Sequence, residues 1–335
     1  MKDTHPALLG SLFPPKGVKP LNFSPGPASL AAEVEAEIKA LFDAPRMCSM
    51  YLSHRSPEFL DILHSAVQRC RIAIDIPNAY EIVFMHGGGH GQFAAVPLNL
   101  CPKGDEKATY LVNGSWSKRA LSEASKYCKP IVISSENPDG SFTHNPSFDN
   151  LDPASKYVHL CSNETVNGIE LHQLPKLAID APLVVDASSD FSTKPIDWLG
   201  CNVGVLYACA SKNLGHPGIT LCVIRKDLLG SPNPQCPGVL CYSTNIHDGN
   251  LWNTIATFNV EVVNIYLQWL IDQGGVKEME RRSIAKSAML YELIDQSDGF
   301  YGTPIADPSI RSRMNVPFNV AGGDEKITQE FLIQG

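Results

Sequence analysis

Short apolar runs of strand length recur through the middle of the sequence, separated by polar turns and helical patterns. A helical pattern over Trp116–Tyr127, for example, follows the run Thr109–Val112. This alternation predicts a mostly parallel β-sheet with helices on both faces. Ligands of such sheets bind at the carboxyl ends of the strands, so the residues after each run are the functional candidates. The runs are Ile82–Met85, Thr109–Val112, Ile131–Ile133, Tyr157–Leu160, Leu183–Val185 and Val203–Tyr207.

The segments before the first run are predicted to form an extended arm and two helices. Prolines and a glycine at Pro25-Gly26-Pro27 disfavour a helix at the end of the arm, which spans residues 1–27. We expect a helix over Ala31–Phe42. A second helix should begin at Ser56-Pro57-Glu58, where a serine caps, a proline fits the first turn and an acid meets the helix dipole.

Two longer helical patterns follow the runs, from about Asn253 to Gln273 and from about Val276 to Ile294, with Gly274-Gly275 between them. Beyond them, Arg311–Val320 is predicted to be a strand of a second, smaller domain. We therefore expect an N-terminal arm (1–27), a large domain (28–265) and a small C-terminal domain (266–335).

Composition narrows the class of protein. The hydrophobic content of 44% is that of a globular chain, and the net charge of −8 argues against a nucleic-acid partner. No apolar run reaches the roughly 18 residues that cross a bilayer, and the N-terminus lacks a secretory signal, so we expect a cytoplasmic protein. The ten cysteines contain no C-x-x-C pair, which favours free thiols over disulfides or a metal site.

A glycine cluster follows the first run. Glycines between a strand and a helix let backbone N–H groups approach an anion, so the segment Gly87-Gly88-Gly89-His90-Gly91 is a candidate phosphate-binding loop. A plain turn explains the cluster equally well. The spacing does not match a dinucleotide-binding fingerprint.

Polar or aromatic residues follow the next runs. Trp116 could stack on a flat ligand ring or lie half-buried in the core. Thr165, in the triplet Asn163-Glu164-Thr165, could contact a ligand oxygen or belong to a capping turn. Asp186 ends an apolar strand and needs a donating partner, for which a pyridinium N–H, a lysine or a helix N-terminus would serve.

Lys212 follows the last run, 26 residues after Asp186. A lysine in a half-buried crevice tends toward a lowered pKa, which favours the neutral amine that imine chemistry requires. Most lysines are solvated surface charges, so the position of Lys212 carries this interpretation.

Taken together, nine segments in this order resemble the phosphoserine aminotransferase family, class V members of the fold-type I enzymes that use pyridoxal 5′-phosphate (PLP). The segments are LNFSPGPA (21–28), SHRSPEF (53–59), HGGGHGQFAAVPLNL (86–100), NGSWSKRA (113–120), YVHLCSNETVNGIE (157–170), VVDASSDFSTKPID (184–197), YACASKNLGHPGIT (207–220), WNTIATF (252–258) and RSRMNVPF (311–318). The resemblance implies an α/β fold with a mostly parallel seven-stranded sheet in the large domain.

The resemblance implies two catalytic residues. Lys212 would hold PLP as a Schiff base and transfer protons, and Asp186 would keep the pyridine nitrogen protonated so that the ring acts as an electron sink. It also implies cofactor contacts and substrate contacts. The implied cofactor contacts are Gly89, His90, Trp116, Thr165, Ser211 and, from the partner subunit of a homodimer, Asn253 and Thr254; the implied substrate contacts are His54 and Arg55.

The implied reaction is a ping-pong transfer of the amino group of L-glutamate to 3-phosphohydroxypyruvate in serine biosynthesis. Ser211 stands where the family usually has glutamine, and His90 where several members have arginine. The sequence ends at Gly335, before the Gly-His-Arg element with which the family binds substrate phosphate, so the small domain is expected to be truncated. Two alternatives stay open: a related PLP aminotransferase or lyase with another substrate, and an impaired PLP-binding homologue.

Overall fold

The computed structural model describes residues 25–334. The predicted arm over 1–27 therefore lies outside the described residues except for Pro25–Pro27. Eight α-helices are found in the described part of the chain: α1 (Ala32–Asp43), α2 (Pro57–Ala73), α3 (Gly88–Leu100), α4 (Ser115–Ala124), α5 (Tyr242–His247), α6 (Thr257–Asp272), α7 (Gly275–Asp295) and α8 (Glu325–Gln334).

A seven-stranded sheet forms the centre of the fold. Its strands are β1 (Tyr80–Met85), β2 (Lys107–Val112), β3 (Lys129–Ser134), β4 (Val158–Cys161), β7 (Leu183–Asp186), β8 (Val203–Cys209) and β9 (Thr220–Arg225). Their order is β1-β9-β8-β7-β4-β2-β3, and only β9 runs against the others. Two short pairs lie outside it, β5 (Asn163–Glu164) with β6 (Ile169–Glu170) and β10 (Tyr301–Gly302) with β11 (Asn319–Val320). The predicted α/β fold with a mostly parallel seven-stranded sheet is confirmed.

The sheet is covered on both faces because successive side chains of each strand point in opposite directions. Ile82 and Phe84 of β1 pack in one apolar cluster with residues of α1, α2 and α6. Val83 and Met85 pack in a second cluster with residues of α3 and α4. The α2 helix begins as expected, since the Ser56 hydroxyl accepts a hydrogen bond from the Phe59 N–H. All ten cysteines are free thiols, as the sequence indicated.

Three details differ from the sequence-based expectations. Strand β9, which was not predicted, lies between β8 and β1. Helix α6 begins at Thr257, so Asn253 and Thr254 lie in the loop before it. The predicted strand over Arg311–Val320 is wrong for most of its length, since only Asn319–Val320 forms a strand. Arg311 forms an isolated bridge with Ile169, but the backbone N–H groups of residues 313–315 donate to side chains, as Arg313 does to Glu170 at 2.7 Å.

A buried ionic cluster joins the segment 311–318 to β6 and to the loop after β7. Glu170 accepts hydrogen bonds from Lys194 at 3.0 Å and from Arg313 at 2.6 Å, and Lys194 also reaches Asp190 at 2.7 Å. Burial alone would raise the pKa of Glu170, but the charges of Lys194 and Arg313 lower it to about 2. The proposed division at residue 265/266 falls within helix α6 and stays a prediction.

Replacing Glu170 tests how much this cluster stabilises the protein. We expect Glu170→Gln to lower the free energy of unfolding by about 3–5 kcal/mol, because it leaves buried cations without their counter-charge. Glu280→Gln is the matched control: Glu280 also binds Arg313, but its side chain is 32% exposed, and its loss should cost about 1 kcal/mol or less. Urea unfolding at neutral pH measures both variants. Equal losses would contradict the role assigned to Glu170.

Candidate active site

The carboxyl ends of β1, β4, β7 and β8 lie at one edge of the sheet and bring the predicted site residues together. Gly89, just after β1, lies close to β7 and β8: a Cβ added to it would be 3.8 Å from Asp186 Oδ2 and 3.6 Å from Cys209 Sγ. On the other side, the His90 ring meets the Trp116 indole edge-on with 5.8 Å between centroids. These contacts join the glycine loop, the indole and the acid in one site.

The glycine loop presents the start of helix α3 to this site. Gly87 and Gly88 have φ angles of +94° and +63°, which other residues rarely adopt. The Gly89 N–H points into the site and donates to Cys209 Sγ at 2.9 Å. The first N–H groups of a helix lack backbone acceptors within the helix, and an anion binds favourably there, so the geometry of the loop is compatible with a phosphate.

Glu164 positions Trp116, a role that the sequence reading missed. Its buried carboxylate accepts hydrogen bonds from the backbone N–H groups of Trp116 at 2.8 Å and Ser117 at 2.7 Å. Burial raises the pKa of Glu164 against the lowering effect of these bonds. Gly114 leaves the space for this contact, since a Cβ there would lie 2.4 Å from Glu164 Cδ. The sequence did contain a signal for this role, since Glu164 lies at a strand end between Asn163 and the buried Thr165.

Asp186 ends strand β7 with a carboxyl group that is 4% exposed. Burial raises its pKa to about 7, although the Ser188 N–H donates to Oδ1 at 3.0 Å and opposes the shift. No lysine or arginine forms an ion pair with Asp186 among the described residues. A buried carboxyl of this kind suits a ligand that brings its own cationic N–H, such as a pyridinium nitrogen.

Lys212 is half-buried, and burial lowers the pKa of its ammonium group. Its Nζ donates to the Pro25 carbonyl at 2.5 Å. Gly26 makes this approach feasible, because a Cβ there would lie 2.3 Å from Nζ. The lowered pKa favours the neutral amine that attacks a carbonyl carbon, as the sequence predicted. The backbone carbonyl of the neighbouring Ser211 accepts a hydrogen bond from the Ala28 N–H at 3.2 Å.

Four other predicted residues lie together on a different surface. Arg55 donates to the Leu251 carbonyl at 3.4 Å, which places His54 and Arg55 beside the loop that carries Asn253 and Thr254. Asn253 and Thr254 are exposed, and no hydrogen bond engages their side chains within the described chain. The buried Nε2 of His54 also lacks a partner among residues 25–334. None of the four lines the cavity of about 380 Å³ beside Lys212.

The residues of this site fit PLP by their donor chemistry. A lysine amine of lowered pKa, a buried acid without a cation, an indole and a helix N-terminus match the aldehyde, ring nitrogen, ring face and phosphate of the cofactor. Within residues 25–334, no group of three or more His, Cys, Asp or Glu could hold a metal ion. No helix in that range is long and apolar enough to cross a membrane.

Comparisons with known proteins agree with this geometry. The class-V aminotransferase family model matches residues 21–334. The phosphoserine aminotransferase of Albidiferax ferrireducens is 41% identical over 94% of this chain and 86% of its own. A phosphoserine aminotransferase solved in a study of radiation damage to its Schiff base is 34% identical, with a TM-score of 0.88 over 95% of this chain and 88% of its own. The PLP-bound phosphoserine aminotransferase of Trichomonas vaginalis is 31% identical, with a TM-score of 0.83 and coverages of 93% and 88%.

The raised pKa of Asp186 predicts a pH-dependent stability of the protein freed of cofactor. Because the pKa rises from 3.8 unfolded to about 7 folded, the folded state binds the extra proton. Its stability should therefore fall between about pH 4 and pH 7, by about 4 kcal/mol at most. Asp186→Asn should remove this part of the pH dependence, as measured by urea unfolding at pH 5 and pH 8. Parallel pH profiles for the wild type and the variant would contradict the assignment.

Proposed function

The chain belongs to the class-V aminotransferase family, and from this premise we propose that it acts as a phosphoserine aminotransferase. It transfers the amino group of L-glutamate to 3-phosphohydroxypyruvate, giving O-phospho-L-serine and 2-oxoglutarate, a step of serine biosynthesis. The observation that carries the chemistry is the placement of Lys212 and the buried Asp186 at one edge of the sheet. The cytoplasmic location expected from the sequence is part of the same proposal.

PLP, when bound, supplies a ring that withdraws electrons from the carbon bearing the amino group. Asp186 would hold a proton on the ring nitrogen, which would keep that withdrawal strong and give the buried carboxylate its counter-charge. The Gly89 N–H and the N-terminus of helix α3 bind the phosphate. Trp116 covers the ring face, with its backbone fixed by Glu164.

Lys212 provides the acid–base chemistry. Its Nζ would hold the cofactor, and once the amino-acid substrate takes its place the free amine would be the base that accepts a proton from the substrate carbon. Burial lowers the pKa of the Lys212 ammonium group, which favours the neutral amine that a base requires. The same Nζ would then donate the proton back, so one residue would serve both half-reactions.

The active site of the proposed enzyme is completed by a second copy of the chain. Asn253 and Thr254 lie on the same surface as His54 and Arg55, where none of them lines the cavity of Lys212. Large apolar side chains are exposed on neighbouring segments, with Tyr51 at 70% and Trp252 at 43%. An exposed apolar patch rimmed by polar residues is typical of a protein interface. We infer that these four residues reach the partner's cofactor phosphate and substrate anions.

The substrate assignment predicts a selective half-reaction. Glutamate should convert the bound cofactor of the holoenzyme to its amino form, and 3-phosphohydroxypyruvate should restore the starting spectrum. Hydroxypyruvate, which lacks the phosphate, should restore it with a kcat/KM roughly 100-fold lower, because charged groups meant for phosphate are left unpaired. Stopped-flow absorbance measures both steps, with Lys212→Ala as the inactive control. Equal rates with the two ketoacids would overturn the phosphate specificity.

If each active site contains residues of both subunits, two different inactive variants should regain activity when they are combined in a heterodimer. Lys212→Ala protein and Asn253→Ala/Thr254→Ala protein should each be inactive or nearly so. A purified heterodimer of the two contains one site with all of these residues, so it should regain about half of the wild-type activity. Differently tagged subunits allow its isolation and assay. A verified heterodimer without activity would exclude the shared site.

A further inference from the structure

The Cys209 thiol lies against the glycine loop of the proposed cofactor site. Cys209 is the last residue of strand β8, and its Sγ accepts a hydrogen bond from the Gly89 N–H at 2.9 Å. A Cβ placed on Gly88 or on Gly89 would be 3.6 Å from this sulfur, which is the distance of ordinary van der Waals contact. The thiol therefore packs against the start of helix α3, where the proposed function places the cofactor phosphate.

Ser188 holds the thiol in this position. The Ser188 hydroxyl donates to Cys209 Sγ at 3.4 Å and accepts from the Cys209 N–H at 3.3 Å. The Ser188 N–H in turn donates to Asp186 Oδ1 at 3.0 Å. Cys209 is thus bonded both to the glycine loop and to the segment that carries Asp186. Its sulfur cannot leave the loop without the loss of two hydrogen bonds, one from Gly89 and one from Ser188.

The contact between the sulfur and Gly89 affects anion binding, because one N–H forms one hydrogen bond of full strength. Burial raises the pKa of the Cys209 thiol, so the sulfur is neutral near pH 7 and accepts hydrogen bonds only weakly. A phosphate oxygen is charged and is the stronger acceptor. A phosphate can therefore take the Gly89 N–H, but the bond between this N–H and the sulfur must then be given up.

We propose that Cys209 competes with the cofactor phosphate for the Gly89 N–H and thereby weakens the binding of the cofactor. This inference rests on the function proposed above, which places the phosphate at the glycine loop, and it concerns the strength of that contact. The consequence is greatest for the amino form of the cofactor, because Lys212 does not hold that form covalently. Cys209 therefore makes the amino form easier to release.

The test compares pyridoxamine 5′-phosphate with pyridoxamine, which lacks the phosphate, on the full-length protein freed of its cofactor. Cys209→Ala removes the sulfur, so it should bind the phosphorylated ligand about 3- to 5-fold more tightly and pyridoxamine as the wild type does. Cys209→Ser keeps an acceptor and should stay within about 2-fold of the wild type for both ligands. Isothermal titration calorimetry measures the dissociation constants. Cys236→Ala is the matched control, since Cys236 is the other half-buried cysteine and its thiol contacts Asn99 instead of the loop.

The outcomes separate this inference from the function on which it rests. If the wild type prefers the phosphorylated ligand but Cys209→Ala binds it no more tightly, the competition is overturned and the phosphate stays at the loop. An equal gain for pyridoxamine, or equal changes in the alanine and serine variants, would also overturn it, because packing would then explain the effect. A wild type that binds both ligands equally tightly would overturn the placement of the phosphate itself. Urea unfolding verifies that each variant is folded, and Cys209→Val, which also lacks an acceptor, decides if Cys209→Ala is not.

Discussion

The ionic cluster around Glu170 is the interaction on which the shape of the site depends. In segment 311–315, Arg311 forms an isolated bridge with Ile169 and the Ser312 N–H donates to the Gly168 carbonyl, but the next three N–H groups donate to side chains. Glu170 accepts hydrogen bonds from both the backbone and the guanidinium of Arg313. Removing charges from water is costly, and the cluster offsets this cost by pairing each buried ion. Residues 313–315 of this segment line the cavity beside Lys212, so the ionic cluster fixes the position of that side of the cavity.

Three buried carboxyl groups have different surroundings in this fold, and the direction of their pKa shifts differs accordingly. Glu170 meets two cations and has a lowered pKa. Glu164 meets helix N–H groups instead of a cation, and its pKa is raised. Asp186 meets Ser188 and no cation among the described residues, and burial raises its pKa to about 7. Asp186 is the acid that we propose to bind the ring nitrogen of the cofactor, so its incomplete pairing agrees with a role in function rather than in stability.

Much of the fold could be predicted because its signals are local. Apolar runs, a serine cap and glycine pairs each depend on neighbours in sequence, and the sheet and most helices followed from them. Lys212 and Asp186 could be predicted to lie near each other because strand ends meet at one edge of the sheet; their roles stay predictions. Glu164, strand β9 and segment 311–318 were missed or wrong. The role of Glu164 and the course of segment 311–318 depend on contacts between residues distant in sequence. The apolar run of β9 is visible in the sequence but was not predicted as a strand.

The bond between Lys212 and the Pro25 carbonyl spans 187 positions of the sequence. Closing so long a loop costs conformational entropy before any contact compensates for it, and distant contacts of this kind slow folding. The lysine's immediate surroundings are therefore assembled from an early-synthesised and a late-synthesised part of the chain. During synthesis on the ribosome, the reactive amine cannot acquire its Pro25 partner through this contact until residue 212 has emerged.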